Sequence, residues 1–182
     1  MLTITFGACH GQHADNKTDS IANENSIAER ISRTASITLD ESIEKVFPLF
    51  GAFEERKWSE GWNPHLIYPT TEKIEEGTTF KTPPHLKDEK EYLWIVSKYD
   101  ATNFLIQYLV TSSARYWTIT IQCHKIADSI TTADITYTFT GLTDSGNEID
   151  KHMMGSMYKN NLKDWEEAIA YYLKTGNALK HH

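Results

Sequence analysis

Two consecutive stretches of the chain alternate apolar and polar residues almost without error. In Tyr116–Lys125, Trp117, Ile119, Ile121 and Cys123 fall on one face, and Tyr116, Thr118, Thr120 and Gln122 on the other. In Thr131–Leu142, Ile135, Tyr137 and Phe139 oppose Asp134, Thr136, Thr138 and Thr140. Successive side chains of a strand point to opposite faces, so each stretch is a strand with one face in a core and one in water. The connection between them is short, which makes an antiparallel pairing the natural one.

The neighbouring segments extend the pattern. Arg33–Leu39 alternates Ala35, Ile37 and Leu39 with polar residues. Asp40 or Ser42 then caps a short helix with Ile43, Val46, Phe47 and Phe50 at helical spacing, which Pro48 shortens and Gly51 ends. A second short helix is expected over Phe53–Trp58. Strands are expected at His65–Pro69, Thr78–Lys81, Tyr92–Tyr99 and Asn103–Thr111. After start signals in Thr143–Asn147, apolar residues recur at spacings of three and four from Ile149 through Met153, Met157, Leu162, Trp165 and Ile169 to Leu173. Gly176 is a suitable stop. This reads as one helix of about 28 residues, on the order of 42 Å, which must lie across a whole sheet.

Aromatic content is the unusual part of the composition. The 5 Trp, 9 Tyr and 7 Phe exclude a chain that never packs. A net charge of −7 argues against a nucleic-acid partner, which calls for a basic face. No run approaches the roughly 18 apolar residues of a membrane span. Cys9 and Cys123 are too few for a disulfide scaffold or a cysteine-rich metal site, and no cofactor or metal is called for. Cys123, at an inward strand position, reads as an inert core thiol. No nucleophile elbow, P-loop, dinucleotide fingerprint or H-E-x-x-H motif occurs.

Residues 1–29 read as a disordered polar tail. Within it, Phe6-Gly7-Ala8-Cys9 is similar to the end of a bacterial lipoprotein signal, but no Lys or Arg precedes Lys17 and the apolar run is short. The expectation is a cytoplasmic protein. The alternative is an envelope lipoprotein whose true start lies upstream and whose Cys9 is lipidated. Cys9-His10-Gly11-Gln12-His13 lacks the fixed surroundings that a metal site needs. The span 30–176 is one domain and 177–182 a C-terminal tail, with His181-His182 left out of the site.

The order of strand, short helices, six strands and long helix resembles the helix-grip fold of the START/Bet v 1-like (SRPBCC) superfamily. Val46-Phe47-Pro48-Leu49-Phe50 resembles the opening of its polyketide cyclase/dehydrase-like members. Glu55-Arg56-Lys57-Trp58-Ser59-Glu60-Gly61-Trp62-Asn63-Pro64 and Tyr137-Thr138-Phe139-Thr140-Gly141-Leu142 resemble an uncharacterised bacterial subgroup. The resemblance implies an α+β architecture, a curved antiparallel sheet wrapped around a C-terminal helix, with a cavity between them. It brings no catalytic motif, and fold does not imply function.

Candidate cavity residues follow from these placements. Met153, Met154 and Met157 cluster in the first half of the long helix, with Tyr158 one turn on, and Met suits a surface that accepts varied apolar shapes. Trp94, Tyr108, Trp117 and Tyr137 are the bulky residues on inward strand faces. Trp165 and Tyr172 are assigned to the solid end of the core. Trp58 and Trp62 flank a connection that also carries Glu55, Arg56 and His65. Arg56 suits a bidentate clamp on a carboxylate. Glu55 and His65 are the candidate acid/base groups. His152, beside Met153, is a lesser candidate for the cavity mouth, and His124 faces solvent.

The leading expectation is binding of a small hydrophobic or amphipathic ligand, lipid-like or polyketide-like, by a monomer or homodimer. A cyclase/dehydratase-type enzyme in the same cavity is the second reading. A non-catalytic protein-interaction module similar to Hsp90-activator relatives is the third, and it predicts a filled interior.

Overall fold

A computed structural model describes residues 27–84 and 89–180. The readings of Cys9, its lipidation and the Cys9–His13 metal site lie outside these residues. β1 (Arg30–Leu39) leads through α1 (Ile43–Val46) and two 3₁₀ turns (Phe47–Phe50 and Glu55–Lys57) to β2 (His65–Tyr68) and β3 (Thr79–Thr82). Then come β4 (Tyr92–Asp100), β5 (Leu105–Thr111), β6 (Arg115–Ala127), β7 (Ile130–Gly141), α2 (Asp144–Met157) and α3 (Lys163–Thr175). The strands form one antiparallel sheet in the order β1-β7-β6-β5-β4-β3-β2. The segment holding α1 and the 3₁₀ turns carries the chain from one edge of the sheet to the other, and β2 to β7 return as a meander.

The alternation sets the register. On β6 and β7, Trp117 pairs with Phe139, Ile119 with Tyr137, Ile121 with Ile135 and Cys123 with Ala133. All eight are buried. On the other face, hydroxyls bridge β1 and β7: Ser32 Oγ meets Thr138 Oγ1 at 2.9 Å and Thr34 Oγ1 meets Thr136 Oγ1 at 2.7 Å. Burial pushes the Cys123 thiol up to about 12, so it stays protonated and inert at neutral pH.

The expected single C-terminal helix is two helices. Asn161 and Leu162 hold left-handed backbone, with φ of 53° and 58°. Asn tolerates that region better than most residues, and its side chain is occupied here, because Asn161 Oδ1 accepts from Arg33 Nη2 at 3.0 Å. Leu162 adopts it with its side chain in the core, only 1% exposed. α2 starts as its sequence signals require: Thr143 Oγ1 accepts from the Gly146 N–H at 3.0 Å. α3 ends at Gly176, with φ of 73°.

Two glycines fix where α2 sits. A Cβ on Gly146 would lie 2.2 Å from the Ala114 carbonyl oxygen, and one on Gly141 would lie 2.1 Å from Asn147 Oδ1. The helix start is thus pressed against the β5–β6 turn, beside Arg115. Asn147 also holds the chain ahead of β1, accepting from the Glu29 N–H at 3.1 Å and donating to the Ile27 carbonyl at 2.8 Å. No described helix is long and apolar enough to cross a membrane.

Candidate functional site

Between the apolar face of the sheet and the elements laid over it is a cavity of about 270 Å³. Trp94, Tyr108, Trp117 and Tyr137 supply its sheet side, on β4, β5, β6 and β7 respectively. Met153 and Met157 of α2 and Trp165 of α3 face them. Glu55 and Ser59, on and after the second 3₁₀ turn, and Trp62 complete the wall near the connection.

The aromatic wall is mutually braced. Trp94 stacks on Phe80 at 5.5 Å between centroids and meets Trp62 and Tyr108 edge-on at 5.3 and 6.0 Å. Their polar tips are already occupied. Trp62 Nε1 donates to the Ala52 carbonyl at 2.6 Å, Trp94 Nε1 to Thr82 Oγ1 at 2.9 Å, and the Tyr108 hydroxyl to the Phe50 carbonyl at 2.8 Å. With these donors turned to protein, the rings present carbon surface to the cavity.

Two charged residue types line the cavity, in opposite circumstances. Arg115 is 1% exposed and fully engaged. Its Nε and Nη2 donate to the Glu89 carboxylate at 2.8 and 2.9 Å, its Nη1 donates to Asp150 Oδ1 at 3.1 Å, and its guanidinium lies 4.5 Å from the Trp117 ring centroid. Tyr92 and Ser112 also donate to Glu89. Burial works to raise Glu89, but these hydrogen bonds outweigh it and hold the carboxyl below its ordinary range. At Asp150 burial wins over Arg115 and the carboxyl is raised. Its Oδ2 is buried with no hydrogen-bond partner among the described residues.

Glu55 has no such partner. No described cation or donor meets its carboxyl, and burial alone pushes it up to about 8. Tyr108 and Tyr137 lie close to it: burial first, and the Glu55 charge second, raise both phenols well above their ordinary value. These two tyrosines flank Ile119 in register across β5, β6 and β7. Arg115 lies four residues before Ile119 on β6, roughly 13 Å away at about 3.3 Å per residue. The paired guanidinium and the unpaired carboxyl therefore mark two ends of the cavity.

Of the residues expected at the site, Glu55, Trp62, Trp94, Tyr108, Trp117, Tyr137, Met153 and Met157 line the cavity. The others fall elsewhere. Arg56 turns outward to pair with Glu72. His65 is exposed on β2, its Nε2 3.3 Å from Asn63 Nδ2. Glu55, Arg56 and His65 therefore do not converge, because neighbouring residues of a 3₁₀ turn and a strand on the sheet's outer edge face different ways. Trp58 is core: its Nε1 donates to the Leu49 carbonyl at 2.8 Å and its ring packs 5.4 Å from Trp165. Met154 packs against the core, and His152 is exposed. Trp165, assigned to the solid end of the core, lines the cavity.

Tyr158 is a structural latch. Its hydroxyl accepts from the Tyr137 N–H at 3.1 Å and donates to the Arg33 carbonyl at 2.7 Å, joining the end of α2 to β1 and β7. Tyr158→Phe should cost about 1–2 kcal/mol in chemical denaturation, because it strands buried backbone groups.

The sequence reading missed Arg115, Glu89 and Asp150. One signal was available: Arg115 shares the parity of Trp117, Ile119 and Ile121, so a strand begun one residue earlier points it inward.

Neither a family model nor a curated protein sequence matches the chain. Solved structures do. Norcoclaurine synthase from Thalictrum flavum aligns over 82% of this chain and 88% of its own, at 12% identity and a TM-score of 0.57. A conserved protein from Geobacillus kaustophilus aligns over 79% and 95%, at 16% identity and 0.56. A protein from Thermobifida fusca aligns over 83% and 99%, at 14% identity and 0.57. The fold is thus the Bet v 1-like helix-grip fold, α+β with a curved antiparallel sheet around C-terminal helices.

Proposed function

We propose that this protein binds a small, largely apolar molecule carrying one polar group in the cavity between the sheet and the C-terminal helices. The observation that carries this reading is the Glu55 carboxyl, without a partner among the described residues, at the edge of an aromatic cavity of about 270 Å³. A polar group left without a protein partner in apolar surroundings is costly unless something else engages it. The volume matches about nine waters at roughly 30 Å³ each, which suits one or two fused rings or a short acyl chain. An interior with room in it speaks against the interaction-module reading, which calls for a filled one. Turnover in the same cavity is a second reading, favoured by the raised Glu55 carboxyl, which stays protonated at neutral pH and can donate to or take back a proton from a bound group.

Titration with 2-naphthol, followed by tryptophan fluorescence and calorimetry, tests the binding reading. Saturable one-to-one binding is expected, lost in Met157→Trp, which fills the cavity from α2. Absence of saturable binding, or binding unchanged by Met157→Trp, would overturn it.

A further inference from the structure

We infer that the polar group of the ligand is an amine, held as an ammonium against the Glu55 carboxylate among the aromatic rings. This rests on the binding reading of the same cavity and adds the chemical class of what enters it.

The argument is one of charge and of which groups are already engaged. Around Glu55, β5 and β7 present only the phenols of Tyr108 and Tyr137. α3 contributes Asp164, whose charge is felt at Tyr137. On the 3₁₀ turn itself, Arg56 and Lys57 face away and pair with Glu72 and Glu54. Arg115, the one cation among the described residues lining the cavity, is at the far end and balanced by two carboxylates, so that described cluster carries a formal charge of −1. No described cation lining the cavity is therefore free to answer Glu55, and the net negative charge of the Arg115 cluster disfavours an anionic ligand.

The walls point the same way. The rings of Trp62, Trp94 and Tyr108 have spent their donors on backbone and hydroxyl oxygens. What they offer a ligand is the faces and edges of aromatic rings, and an aromatic face attracts a cation. A neutral hydroxyl or carbonyl would be served equally well by Gln or Ser at position 55. Only an acid can also become the counter-ion of a cation in a desolvated site.

The proton balance gives a distinctive signature. Below about pH 8 the empty site holds a neutral carboxyl. When an ammonium binds, the Glu55 O–H bond breaks, its proton leaves to solvent, and the carboxylate pairs with the incoming cation. One proton is released per ligand bound. A neutral alcohol releases none.

The test uses three isosteres by calorimetry between pH 6 and 8: 1-naphthylmethylamine, 1-naphthylmethanol and 1-naphthoate. The amine should bind at least about tenfold tighter than the alcohol at pH 8. Its Kd should fall roughly ninefold from pH 6 to 7 and about fivefold from 7 to 8, with release falling from about one proton at pH 6 to about half at pH 8. The alcohol should show no such slope and the naphthoate should bind weakest. In Glu55→Gln the amine's advantage and slope should vanish while the alcohol still binds, which shows the cavity is intact. If alcohol and amine bind alike without a slope, or the slope survives Glu55→Gln, the amine inference is overturned and the cavity reading stands. If none of the three binds, both are overturned.

Discussion

Replacing Arg115 by methionine is expected to lower the unfolding free energy by about 3 to 5 kcal/mol, read as a shift of the urea midpoint at pH 7. The guanidinium is buried and so are its partners: the side chains of Arg115, Glu89 and Asp150 are 1%, 6% and 3% exposed. Methionine would fill the stem's space over Trp117 but leave two carboxylates facing each other in an apolar end of the core. Their mutual repulsion and lost solvation make this harsher than the removal of a surface pair, which costs about 1 kcal/mol or less. The pH dependence should confirm the cause. Glu89 is held low in the folded wild type, so its contribution is present above the ordinary carboxylate range and is lost as pH falls through the lowered folded value. The variant lacks this term and stores the opposite one. Its deficit should shrink toward pH 5 as the orphaned carboxyls take up protons. Arg115→Met combined with Glu89→Met and Asp150→Leu should recover most of the loss, because apolar groups of similar shape replace a buried ion cluster well. A triple variant as unstable as the single one would contradict this account.

The second large effect has the reverse sign. Glu55→Gln should stabilise the ligand-free protein by about 2 to 4 kcal/mol at pH 8. The folded-state value of Glu55 is raised from 4.5 to about 8. A carboxyl raised on folding gives its full contribution below the unfolded value, and that contribution is lost as pH rises through the folded one. Wild-type stability should therefore decline between about pH 4.5 and 8 through this group, while Gln has nothing to titrate. The full shift corresponds to about 5 kcal/mol at roughly 1.4 kcal/mol per unit, and screening by water reaching the cavity lowers what is realised. Urea midpoints of the two proteins should coincide near pH 4.5 and diverge above it. Parallel curves across that range would show that the carboxyl finds compensation in the folded state.

Much of the sheet was legible because its physics is local. Period two on β6 and β7 names the inward residues without any knowledge of the partner strand, and Trp117, Ile119, Tyr137 and Phe139 follow from it directly. The helix break was not legible. The apolar stripe continues at spacings of three and four across Asn160–Leu162, since α2 and α3 bury against the same sheet. Only the left-handed backbone of Asn161 and Leu162 separates them, and Leu162 itself stays in the core across the break. The site divided along similar lines. Trp58 and Trp62 look equivalent in sequence, four residues apart, yet one donates to Leu49 inside the core and the other to Ala52 at the cavity wall. Glu55 sits on a 3₁₀ turn of three residues, too short for any period to reveal its face. Glu89 precedes β4 in a connection with no repeating pattern, so its meeting with Arg115 and Asp150 is a product of the tertiary fold alone.

The break between α2 and α3 also divides labour over the cavity. Leu162, Ala168 and Ile169 bind α3 into the core while Trp165 reaches the cavity, and Tyr158 pins the joint to β1 and β7. Met153 and Met157 lie on the other piece, whose register is set independently by Thr143, Gly146 and Asn147 at its start. A continuous helix would pass every adjustment at the cavity along its whole length. Neither methionine is among the residues that anchor the joint or the start of α2. The contacts that anchor the fold and the α2 wall of the cavity thus lie on separate stretches of chain.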